Sequence, residues 1–178
     1  MKYGLTQISK EEFDNLHAFV RACFDQGYQR RDPPLLKSIS IHHSWAPQEH
    51  QEYLARNDSL GVTMGTHEFD IWITPGYKGP VFKFYMTLAH ELVHGYAGLK
   101  YGHNAHWRRW FYRVLFHLVE AKIIPTPESD IQSVLLSVEL SYNPKWWQSG
   151  AAGLVDEAIN KAQQEHSKVL DSYWSRLA

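Results

Sequence analysis

Phe82-Lys83-Phe84-Tyr85-Met86-Thr87-Leu88-Ala89-His90-Glu91-Leu92-Val93-His94-Gly95-Tyr96-Ala97 decides how this chain is read. The stretch predicts a helix with Leu88, Leu92 and Tyr96 on one apolar stripe. On such a helix His90 and His94 stand four apart, so their imidazoles share a face one turn apart. Nitrogens placed this way can both ligate a tetrahedral zinc at about 2.0–2.1 Å. Glu91 lies one step round the helix, within reach of a zinc-activated water without being a ligand. A carboxylate there can accept the water's proton as general base. The same H-E-x-x-H pattern also arises by chance in a chain with 11 histidines, and then marks two core histidines with Glu91 in an ion pair. Its place mid-helix, in an apolar pattern and after strand-like runs, favours the metal site.

Upstream, three runs alternate apolar and polar residues: Ile39 and Ile41; Leu60, Val62 and Met64; Phe69, Ile71 and Ile73. Period two predicts a small three-stranded antiparallel sheet, its last two strands joined as a hairpin across Gly65–His67. Earlier still, Ser9-Lys10-Glu11-Glu12 reads as a capping box. From it Phe13, Leu16, Phe19, Val20 and Phe24 recur at helical spacing to Gly27. Downstream of the H-E-x-x-H helix, Leu99–His103 is a short loop and Asn104 caps another helix. Trp107, Trp110, Phe111, Leu115, Leu118 and Val119 face inward along it, until Pro125 and Pro127 stop it. Thr126-Pro127 opens a further helix, Asn143-Pro144-Lys145-Trp146-Trp147 forms a loop, and residues 152–177 form a last, strongly polar helix. The expected fold class is α+β, a three-stranded sheet packed against two site helices with helices added at both ends. One domain over residues 1–125 and a helical C-terminal extension over 126–178 are expected.

Zinc needs a third ligand. Metzincins place a histidine six residues after the second, where this chain has Lys100, so that class is excluded. Candidates are His103, His106 and Glu120; the last sits about four turns along its helix, a long reach. Gly102-His103-Asn104-Ala105-His106-Trp107, taken with His90–Tyr96, resembles the SprT-like zinc metallopeptidases, a family that includes the DNA–protein crosslink protease Spartan. Their motif is H-E-x-x-H, a variable loop, then G-H-G-x-x-F/W; Gly102, His103 and Trp107 match it in order. The resemblance implies His90, His94 and His103 as ligands of one Zn2+ per chain and Glu91 as catalytic base, while His106, one helical turn further on, is either an auxiliary group that stabilises the tetrahedral intermediate or an exposed residue. It implies protein or peptide substrates, extending to DNA-associated proteins. Asn104 replaces the motif's second glycine, and a single cysteine excludes the zinc ribbon that many relatives carry. Residues 126–178 fall outside the resemblance.

Composition bounds the rest. With 178 residues, 44% of them hydrophobic, the chain can build a core without disulfides, and Cys23 alone cannot form an internal one. No apolar run reaches membrane-spanning length and the N-terminus lacks a signal-peptide pattern, so a cytoplasmic protein is expected. Net charge is −1, yet Lys100, Arg108, Arg109, Arg113 and Lys122 cluster against Glu120 alone. That stretch is either a solvated helix face or a weak DNA contact through Lys100, Arg108, Arg109 and Arg113. Two rivals to the peptidase are therefore a zinc-stabilised binding protein without hydrolysis and a nucleic-acid-associated module with a secondary metal site. The other histidines, among them His17, His117 and His166, read as surface or strand-face residues, and Trp146-Trp147 as packing residues.

Overall fold

Glu12 Oε2 accepts the Ser9 N–H at 2.6 Å and Ser9 Oγ accepts the Glu12 N–H at 3.1 Å, so the first helix begins where the capping box places it. In this computed structural model, which describes residues 9–27, 48, 52, 61–65, 69–73, 80–126, 130–142 and 150–178, that helix is α1 (Lys10–Gly27). Phe13, Leu16, Phe19, Val20 and Phe24 are all buried, as is Cys23, whose thiol burial pushes far above its ordinary pKa. Two strands follow, β1 (Gly61–Gly65) and β2 (Phe69–Ile73), paired antiparallel with Thr63 opposite Ile71.

Helix α2 (Val81–Ala97) starts after Pro80 and ends at Gly98, whose φ of 104° would strain any L side chain. The Gly98 N–H donates to His94 O at 3.0 Å. A single 3-10 turn (Leu99–Tyr101) and Gly102 then reverse the chain. Asn104 caps α3 (Ala105–Glu120), its Oδ1 accepting the Trp107 N–H at 3.1 Å. Helix α4 (Ile131–Tyr142) is capped by Asp130, which accepts from the N–H groups of Gln132 at 3.1 Å and Ser133 at 3.3 Å. It therefore begins later than an opening at Thr126-Pro127, and Pro127 lies outside the described residues. Helix α5 (Ala151–Leu177) packs along α1 and α3, and its Val155, Ala158, Val169 and Tyr173 join one core with Leu16, Phe19, Trp110 and Leu115.

The α+β expectation is corrected by this arrangement. The described residues are mostly helical, and their strands form a two-stranded hairpin in place of a three-stranded sheet. Ile39 and Ile41, the expected first strand, lie outside the described residues. The physical reason is what covers the apolar face of α3: α1 and α5 bury it, while the hairpin packs on α2.

Charge pairs tie the C-terminal helices to α3. Arg108 is bound to Glu139 of α4, Arg109 Nε lies 3.0 Å from both Glu157 oxygens, and Arg113 is bound to Glu165. Glu139 is fully buried, so removing its partner strands a carboxylate without compensation. Arg108→Ala is therefore expected to destabilise the fold by about 3–5 kcal/mol. An R108M/E139L double variant should recover most of that loss. Thermal unfolding of the three proteins checks both statements, and a double variant no better than R108A would contradict them.

Candidate metal centre

Helix periodicity puts His90 and His94 on one face of α2, and the Gly98–Asn104 reversal returns the chain so that His103 meets them. Nε2 of His94 lies 3.1 Å from Nε2 of His90 and 3.0 Å from that of His103, and the His103–His90 distance is 3.0 Å. Hydrogen bonding cannot account for all of these contacts. A neutral imidazole nitrogen is either a donor or an acceptor, so of three mutual contacts at most two can be donor-to-acceptor. Two nitrogens bound about 2.0–2.1 Å from a tetrahedral zinc stand about 3.3 Å apart, close to the observed spacing. The cluster could therefore hold a metal ion.

Burial keeps these rings neutral and their lone pairs available. Desolvation, then the neighbouring His94 and His103, hold the pKa of His90 well below its ordinary value. Desolvation and His103 bring His94 to about 3, and desolvation alone lowers His103, the most exposed of the three. His94 Nδ1 is buried with no hydrogen-bond partner among the described residues, which leaves Nε2 as the ring's working polar atom. Trp107 floors the cluster: its indole stacks on His94 with ring centroids 4.6 Å apart and meets His90 and His103 edge-on at 4.5 and 4.7 Å.

Glu91 stands beside the cluster and outside it. One carboxyl oxygen, Oε1, lies 4.0 Å from His90 Nε2, while Oε2 accepts the Thr63 hydroxyl at 2.7 Å. Burial raises its pKa to about 7 against the lowering effect of the Thr63 hydrogen bond. A carboxyl poised there can take up a proton and release it again near neutral pH.

Of the other third-ligand candidates, His106 turns its ring toward Tyr101, with centroids 4.5 Å apart, and Glu120 is exposed at the end of α3; neither belongs to the cluster. The basic residues do not gather at the site. Arg108 and Arg113 are largely buried against Glu139 and Glu165, Arg109 pairs with Glu157, and exposed Lys100 lies over the Tyr101 ring. Sequence reasoning missed Thr63, because a threonine on an alternating strand carries no signal beyond its place in sequence between Val62 and Met64. It also misread two histidines. His17 is half-buried, its Nε2 2.7 Å from Tyr96 OH, and His117 is buried with its Nδ1 2.9 Å from that of His166. The helix faces that carry them are core faces. His42, His43, His50, His67 and Trp146-Trp147 lie outside the described residues.

No family model, curated protein or solved structure matches the chain. The likeness to SprT-like metallopeptidases therefore rests on the residues quoted above and on nothing wider. Among the described residues no helix is long and apolar enough to cross a membrane.

The buried histidines make acid stability a test of the site's surroundings. Desolvation takes the pKa of His17 to about 4 and that of His117 to about 3, against about 6.5 in an unfolded chain. A folded pKa below the unfolded one means the unfolded chain binds more protons in between. Stability is then complete above about pH 6.5 and falls as pH drops toward 4. His90 and His94 act in the same sense; Glu91, with its raised pKa, acts in the opposite sense. Metal-free protein should lose roughly 2 kcal/mol for each of His17 and His117 between pH 7 and pH 5. Urea unfolding at the two pH values measures it, and an unchanged midpoint would contradict the assigned burial.

Proposed function

We propose that this chain is a zinc-dependent metallopeptidase of SprT-like type, hydrolysing peptide bonds of protein substrates. The observation that carries the reading is the convergence of three histidine Nε2 atoms within 3.1 Å of one another, with Glu91 Oε1 4.0 Å from the nearest. His90, His94 and His103 would hold the ion. Zinc there supplies Lewis acidity, which lowers the pKa of water and polarises a carbonyl. Glu91 accepts the proton of the attacking water on Oε1, the oxygen that faces the histidines, and passes it to the leaving amine. Trp107 and the buried face of α2 keep bulk water from the rear of the histidines, which strengthens each electrostatic contact.

A three-histidine group with a separate carboxylate supports the catalytic reading over a purely structural zinc, since structural sites close with four protein ligands. DNA-associated proteins as substrates rest on the resemblance alone, because Arg108, Arg109 and Arg113 already have carboxylate partners. The test is hydrolysis of unfolded casein by protein loaded with zinc. Cleavage that stops with chelator and returns with added zinc is the expected result. Zinc-loaded protein that leaves casein and a mixed peptide library intact would overturn the reading.

A further inference from the structure

We propose that Thr63 is the positioning residue for the general base: its hydroxyl, presented from β1, hydrogen-bonds one Glu91 carboxyl oxygen and leaves the other toward the histidine cluster. The role rests on the peptidase reading above. Thr63 Oγ1 lies 2.7 Å from Glu91 Oε2 and 2.9 Å from the main-chain oxygen of the same residue. The hydroxyl has one proton and both oxygens accept, so the two contacts share it, and the shorter one, to Oε2, restricts the carboxyl's rotamers before any substrate arrives. With Oε2 tied to Thr63, the remaining oxygen Oε1 is the one left facing His90 Nε2 at 4.0 Å.

Strand geometry makes the grip stiff. Thr63 is β-branched, so few χ1 rotamers are open to it, and pairing opposite Ile71 fixes the backbone that carries it. Its side chain is buried, so water does not compete for the hydroxyl. Strands β1 and β2, whose described residues supply no ligand to the cluster, thereby acquire a part in the reaction: they set where the base points.

Thr63→Val keeps the shape and removes the donor; Thr63→Ser keeps the donor and loses the methyl group. In zinc-loaded protein, T63V is expected to lower kcat by about 10- to 100-fold with KM within about twofold, and T63S to restore kcat to within about threefold. Zinc content should be one per chain in all three proteins. A second measurement needs no metal and no substrate. With 13C-labelled glutamate, the Glu91 carboxyl resonance, assigned by its loss in E91Q, should move in T63V and return in T63S. Circular dichroism monitors folding, and Thr63→Ala replaces T63V if valine is not accommodated. A T63V as active as wild type, an unmoved Glu91 resonance, or equal losses in T63V and T63S would each overturn the positioning role while leaving the peptidase reading standing. A wild type that cleaves nothing with zinc bound would overturn both.

Discussion

Replacing Glu91 with glutamine is expected to leave one zinc per chain and to lower hydrolysis by about 10²- to 10⁴-fold, the usual worth of a positioned general base. Glutamine is nearly isosteric, and Thr63 Oγ1, a donor and an acceptor at once, can still hydrogen-bond the amide. The fold should therefore tolerate the change. It should even gain slightly near pH 7 and above, since a buried carboxyl with its pKa raised to about 7 is replaced by a group that never ionises. On the peptidase reading the base must be deprotonated to act, so the wild-type rate is expected to rise with pH through the pKa of Glu91. A cation among the histidines favours the carboxylate and draws that pKa below 7, which places the rise on the acid side of neutrality. Metal analysis and casein cleavage on the same preparations decide the matter. An E91Q protein without zinc would make Glu91 a ligand or a structural group and would remove the mechanism.

Removing a histidine should act on the metal itself. Partners one shell further out are worth about 10–100-fold in metal affinity, so loss of a direct ligand costs more than that. His90→Ala, His94→Ala and His103→Ala are each expected to lose zinc at micromolar metal and to be inactive. His106→Ala, whose ring faces Tyr101, should keep both zinc and activity. H90A opens a space against Trp107 and Phe111, and some loss of thermal stability should accompany it; H103A, at an exposed position, should lose metal with little change in the metal-free fold. Zinc content measured on all four proteins separates the ligands from their neighbours. One zinc per chain retained in H94A would end the metal reading, and loss of zinc in H106A alone would move the third ligand.

Local signals in this chain were legible because the physics behind them is local. The capping box at Ser9 and Glu12, the Asn104 cap, the alternation in 61–65 and 69–73, and the shared face of His90 and His94 involve neighbours within about one helical turn or one strand pair. The sequence by itself thus determined where the helices of the site begin, which face of α2 carries two imidazoles, and that Glu91 stands beside them. It left His103, His106 and Glu120 open as third ligand, because that choice depends on how the chain turns at Gly98 and Gly102, where φ values of 104° and 51° return it to α2. It gave no hint of Thr63, which reaches Glu91 across 28 positions of sequence. The arginines show the same limit: a basic run on paper, Arg108, Arg109 and Arg113 find carboxylates 31, 48 and 52 positions away, on helices that the run itself does not announce. The fold class was misjudged for this reason too. An apolar stripe states that a face is covered, and only the packing of α1 and α5 onto α3 decided that helices, not a wider sheet, would cover it.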